Sequence, residues 1–210
     1  SNSMHFRTDD AERMRIDSSG KVGIGNEAPL GKLTISSAAG ANAPTTVTAA
    51  NTYLQLGSDD YGASNNGKFM IGFGYTDATN TNSPAYIGYE ETSTSGDTKG
   101  DLTFYTRDVV TDSAPTERMR INSDGHVRMP SQPVFNAYAG TAQANLSNGD
   151  VLIFDTERFD IGSNYNTSDG HFTAPVTGKY QLSVTVRLDN IDNASNYIYI
   201  QLVTSNSSYY

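Results

Sequence analysis

The chain has 210 residues, no cysteine and a formal charge of −9, from 14 Lys+Arg against 23 Asp+Glu. That charge has the wrong sign for a sequence-independent grip on phosphate backbones, and without thiols there is no disulfide, thiolate nucleophile or Cys-ligated zinc. No apolar run approaches the ~18 residues of a membrane-spanning helix, so neither a nucleic-acid partner nor membrane insertion is expected.

Ser, Thr and Asn number 22, 23 and 18, a composition that suits strands and turns, and the expected class is all-β. The first readable element is the aromatic strand Met4-His5-Phe6-Arg7-Thr8-Asp9, which leads into Glu12–Gly25, ERMRIDSSGKVGIG. Met14 and Ile16, then Val22 and Ile24, alternate with polar residues, the period of a half-buried strand. Asp17-Ser18-Ser19-Gly20 carries the favoured first and last residues of a type I turn. Residues 1–35 therefore read as a hairpin unit. In Gly23-Ile24-Gly25 the two small residues suit a place where the backbones of neighbouring chains approach closely.

Residues 36–100 read as a linker, Ser36 to Thr46, followed by a β-meander. Its strand-like runs are Thr52 to Leu56, Lys68 to Tyr75 and Ala85 to Glu90, separated by turn-rich segments such as 58–67. From Asp101 the pattern of the first unit returns. Leu102-Thr103-Phe104-Tyr105-Thr106-Arg107-Asp108 leads into Glu117–Pro130, ERMRINSDGHVRMP, offset by 105 residues from the first copy. Met119, Ile121, Val127 and Met129 occupy the positions of Met14, Ile16, Val22 and Ile24, so residues 101–130 form a second hairpin unit.

An isolated hairpin is marginal in water, so something must cover these Met, Ile and Val faces. The expected answer is an intertwined, homotrimeric β shaft with Met14, Ile16, Val22, Ile24, Met119, Ile121, Val127 and Met129 as its core. A monomeric β-sandwich that uses the same faces internally is the alternative.

The ERMRIDSSGKVGIG stretch resembles a motif found in bacteriophage tail fibres and related appendages, a likeness of about fourteen residues per copy. It implies a slender trimeric fibre of the virion, extracellular, joined to other tail components and carrying a tip that contacts host surface polysaccharide or protein.

Residues 131–210 carry a second resemblance. Pro133 to Tyr138, Asp150 to Asp155, Phe159 to Asn166 and His171 to Val184 look like the opening of a C1q-like domain, with FxAPxxGxYxxS from Phe172 as the most specific piece. Phe172, Tyr180, Leu182, Val184 and Val186 alternate on one face, and Ala174-Pro175 and Gly178 shape a reversal. The resemblance implies a jelly roll that packs as a trimer. Only its first half is supplied here, so the natural chain is expected to continue beyond Tyr210. Otherwise Tyr197 to Val203 would be left as an exposed edge strand.

Catalysis has little support. His5, His126 and His171 lie in separate contexts with no metal-ligand or nucleophile spacing. Glu90-Glu91 suggests a glycosidase pair, but neighbouring strand residues point to opposite faces. No catalytic residue and no cofactor is expected, with calcium as the exception to test. Asp189-Asn190-Ile191-Asp192-Asn193 crowds the hard oxygen donors that this ion takes, and C1q-like domains often carry it, so Asp189 and Asp192 are the metal candidates. Backbone-capping Asx turns are the other reading. Tyr61, beside Asp59-Asp60, and Tyr165, between Asn164 and Asn166, are the receptor-contact candidates, set against ordinary turn packing. The expected function is a noncatalytic host-attachment segment of a viral fibre. A secreted bacterial C1q-like lectin and a polysaccharide-degrading tailspike are the alternatives.

Overall fold

The computed structural model describes residues 2–37, 44–57, 67–74, 76–190 and 198–205, and the backbone of 208–209. It is all-β, with one short 3₁₀ turn at Ala49–Asn51 as the only helical element among these residues. The chain divides into two units, Ser1–Gln132 and Pro133–Tyr210.

In the first unit, β1 (Met4–Thr8), β2 (Ala11–Ile16), β3 (Val22–Ile24) and β4 (Leu33–Ile35) form one sheet in chain order. Asp9 and Asp10, both at positive φ, make the two-residue reversal between β1 and β2, which matches the right-handed strand twist. The turn after β2 closes when Gly20 N–H donates to the Asp17 carbonyl at 3.0 Å. The Asp17 carboxylate meanwhile accepts from the Ser19 and Lys21 amides at 2.8 and 2.9 Å. β4 lies parallel to β3 although the connection spans only residues 25–32, where a parallel crossover ordinarily needs a dozen residues or more. Two glycines make this tight return possible. A Cβ on Gly23 would stand 2.2 Å from the Asn26 carbonyl oxygen, and one on Gly25 would stand 2.1 Å from that of Ser36. The close approach expected between neighbouring chains is thus made by this chain's own backbone.

The second sheet is a five-stranded antiparallel meander of β5 (Lys68–Phe73), β6 (Ala85–Glu91), β7 (Gly100–Thr106), β8 (Thr116–Ile121) and β9 (Val127–Arg128). It runs unbroken from the expected meander of residues 36–100 into the second hairpin, so no structural boundary falls at residues 100–101. Thr52 to Leu56 is not a strand; it follows the 3₁₀ turn and finds no ladder partner among the described residues. Most of the 58–67 loop, with Tyr61, lies outside the described residues, as do residues 38–43 of the linker.

The two copies of the repeat share one register. Phe6 pairs with Met14 and Arg7 with Glu12, leaving Arg13 as the extra residue of a β-bulge. Phe104 pairs with Met119 and Tyr105 with Glu117, leaving Arg118 in the same position. The bulge explains the motif. In an unbroken strand, residues three apart face opposite ways, but one inserted residue restores the phase and brings Glu12 to Arg15, and Glu117 to Arg120. The bulged arginine in each copy donates through Nε to a threonine hydroxyl on the preceding strand, Arg13 to Thr8 at 2.9 Å and Arg118 to Thr106 at 3.2 Å.

In the second unit, β10 (Val134–Tyr138) pairs with β11 (Thr156–Ile161), β12 (Tyr165–Asn166) with β13 (His171–Phe172), and β14 (Leu202–Val203) with β15 (Ser208–Tyr209), all antiparallel. Its core is a ring stack. Phe135 lies parallel to Tyr165 at 4.7 Å and to Phe172 at 5.1 Å, and Tyr180 closes edge-on against Phe172 at 5.4 Å. The alternating run Tyr180 to Val186 is not a strand among the described residues. Of the run Tyr197 to Val203, the only strand among the described residues is Leu202–Val203. Alternation supplies a face, but a strand also needs a ladder partner.

Candidate functional site

Each sheet of the first unit has one polar and one apolar face, and in the meander the polar face is the better covered. In the meander the pairs Phe69–Tyr89, Ile71–Ile87, Ile87–Phe104, Tyr89–Leu102, Phe104–Met119 and Ile121–Val127 put these side chains on one face. None of them is buried; Ile71 is 43% exposed, Leu102 40% and Val127 54%. The opposite face holds Asp101 and Thr103, which are nearly or fully buried. In the first sheet Met4, Phe6, Met14, Ile16, Val22 and Ile24 likewise share a half-exposed apolar face; on the other side Gly23 and Pro29 are buried, Glu12 and Arg15 are half-buried, and His5 and Arg7 are exposed. Of the expected shaft-core residues, Met14, Ile16, Met119, Ile121 and Val22 are half-buried, and Ile24, Val127 and Met129 are exposed.

Arg120 organises the polar face of the meander. Its guanidinium pairs with Asp101, with Glu117 at 2.6 Å and with Glu90 at 3.2 Å. The Tyr105 hydroxyl donates to Glu90 at 2.9 Å, and the Lys68 ammonium lies 3.1 Å from the same carboxylate. Asp101 also accepts from the Ser123 amide at 3.0 Å, which ties the β8–β9 turn to the cluster. The hydrogen bond to Glu117, opposed by burial and joined by that to Asp101, pushes the Arg120 pKa up. Arg120 in turn holds Glu117 below the usual carboxylate range. In the first copy Glu12 accepts from Arg15 and lies 2.5 Å from His5 Nδ1. Hydrogen bonding to Arg15, with a smaller contribution from His5, lowers its pKa to about 2 against the opposing effect of burial.

This cluster went unread in the sequence. Its signal was the Glu-x-x-Arg spacing, which only a bulge can bring onto one face. Glu90 and Glu91 diverge: Glu90 faces Arg120, while Glu91 accepts the Gly67 amide at 2.7 Å. Two carboxylates on opposite faces cannot flank one bond.

Tyr165 corrects the expectation of receptor contact. It is 8% exposed, its ring is stacked on Phe135, and its hydroxyl donates to the Phe154 carbonyl at 3.1 Å. A large ring with a satisfied hydroxyl is what a core selects. Of the calcium candidates, the Asp189 carboxylate is held by Arg187 at 3.1 Å, and Asp192 lies outside the described residues. Among the described residues no three His, Asp or Glu side chains gather as a metal site, and no helix is long and apolar enough to cross a membrane.

The ring stack of Phe135, Tyr165, Phe172 and Tyr180 falls in the part of the chain that matches a family model. Residues 134–209 match the family model of the C1q domain. This C-terminal part is C1q-like, in agreement with an almost helix-free fold, and a C1q domain is compatible with a trimeric binding or adhesin-like role. No curated protein matches the chain.

Proposed function

We propose that this chain is a noncatalytic structural and receptor-binding segment of a viral tail fibre or similar appendage, in which three copies assemble through the apolar faces of the two sheets. The observation that carries the proposal is the inverted burial in the meander of the first unit. A monomer that folds to satisfy itself covers its apolar surface first, and a contiguous apolar patch left open marks an interaction surface. Here the covered face is the charged one. Two faces of the same register, 105 residues apart, favour a partner that repeats along an axis, and further copies of the same chain supply that repetition. The C1q-like part favours threefold association at the C-terminal end.

Attachment through such an assembly works by avidity: three tips on one shaft convert weak individual contacts with host polysaccharide or protein into firm adhesion. The C1q match equally suits a second reading, a secreted bacterial lectin or adhesin. Proteomics of purified virions from a lysate that expresses the gene separates the two: peptides of this chain in the particle support the fibre, and their recovery only from cell-free medium supports the lectin. Incubation with host surface polysaccharide tests the noncatalytic element, since new reducing ends would overturn it.

A further inference from the structure

The chain contains two Asn-Gly steps described at least at their glycine, Asn66-Gly67 and Asn148-Gly149, and the two glycine amides sit in opposite environments. At an Asn-Gly step the backbone nitrogen of glycine can attack the asparagine Cγ. The new N–Cγ bond closes a succinimide, the Cγ–NH₂ bond breaks, and the amide nitrogen leaves as ammonia after taking the proton given up by the backbone nitrogen. Water then opens the ring to aspartate or isoaspartate. The step needs a glycine nitrogen free to lose its proton and room for the ring.

Gly149 meets both requirements. It is the third residue of the turn closed by the Asp150 amide on the Ser147 carbonyl at 3.1 Å, at φ +91. Its own N–H has no hydrogen-bond partner among the described residues, nothing lies within 4 Å of where a Cβ would stand, and Asn148 is exposed, its Oδ1 accepting a long 3.5 Å hydrogen bond from the Tyr199 hydroxyl, which withdraws electrons from Cγ rather than shielding it. Gly67 meets neither. Its N–H donates to Glu91 at 2.7 Å, and a Cβ there would stand 3.1 Å from Glu91 Oε2 and 3.1 Å from Phe69 Cζ. Glu91 itself is only 6% exposed. A buried carboxylate opposes loss of the proton it accepts, because a second negative charge would form beside the first.

We infer that Asn148 is a spontaneous modification site of this protein and that the Glu91 clamp on Gly67 protects Asn66. Conversion at Asn148 places a new carboxylate next to Asp150, whose Oδ2 accepts from the Ser147 amide at 2.6 Å, and takes the chain charge one unit beyond −9. The turn ahead of β11 therefore acquires like-charge repulsion as the protein ages.

The test is a time course of the full chain in mildly alkaline buffer, read by peptide mapping at both steps and by anion exchange for the charge variant, in folded protein and in urea. Modification in the folded protein is expected about ten-fold faster at Asn148 than at Asn66, equivalent to ~1.4 kcal/mol of barrier, with the two rates converging in urea. The Glu91→Gln variant is expected to speed Asn66 alone. A folded protein in which Asn66 reacts as fast as Asn148, or in which Asn148 stays intact while the urea sample reacts, overturns the inference.

Discussion

Replacing Arg120 by alanine would leave Glu90, Asp101 and Glu117 without the cation they share. Breaking a fully buried ion pair by removing one partner costs about 3–5 kcal/mol, whereas exposed pairs are worth ~0–1. Arg120 lies between these limits: its side chain is 17% exposed and those of Asp101, Glu90 and Glu117 are 7, 18 and 24%. Lys68 still neutralises part of Glu90, and the Ser123 amide still serves Asp101. The expected loss is therefore about 2–3 kcal/mol. It should be read as a fall in the urea midpoint at unchanged m, since no surface exposed on unfolding is added. Arg118, two residues earlier in the same motif, is the control. Its carboxylate partner Asp108 is 73% exposed, at 3.0 Å, so Arg118→Ala is expected to cost no more than ~1 kcal/mol. Equal losses for the two variants would refute the reasoning, because the account rests on burial of the Arg120 partners and not on charge count.

Acid sensitivity follows from the same pairs. Glu117 is depressed in the folded state, chiefly by Arg120, so its contribution is present above the ordinary carboxylate value and is lost as pH falls through the depressed one; thermal melts from pH 5 downward should decline less steeply in Arg120→Ala. Glu12, at about 2, extends the decline toward pH 2 in the first sheet, and its carboxyl NMR titration reads this directly. Gly20 sits at φ +76 with open space around it, whereas Gly23 faces the Asn26 carbonyl; Gly20→Ala is expected to cost ~1 kcal/mol in backbone strain, and Gly23→Ala to abolish the β3–β4 pairing, visible as loss of slow amide exchange there. Tyr165→Phe removes one hydrogen bond, about 1 kcal/mol, while Tyr165→Ala opens the ring stack at about 3–5 kcal/mol, both measured by urea titration of the second unit's near-ultraviolet signal.

Periodicity made the strands of the two repeats legible, because each apolar residue at spacing two has a direct cross-strand partner: Met14 with Ile24, Ile16 with Val22, Ile121 with Val127. The bulges were hidden, since a one-residue phase shift at Arg13 or Arg118 leaves the Met-x-Ile alternation beyond it intact. Gly23 and Gly25 were recognised as close-approach residues, but composition cannot tell whose backbone approaches. Tyr165 misled for a related reason. Its polar neighbours Asn164 and Asn166 look like a recognition loop, and only the distant Phe135 and Phe172 reveal a core. Thr52–Leu56 had the apolar content of a strand but has no ladder partner among the described residues, and a partner is something no local pattern encodes.

The most direct measurement is the molar mass of the folded chain by size-exclusion chromatography with light scattering, paired with Ile121→Asp on the apolar face of the meander. The account expects three times 22.6 kDa for the parent protein and dissociation for the variant. A folded, soluble species of 22.6 kDa whose Met119, Ile121 and Phe104 side chains stay open to solvent would contradict it.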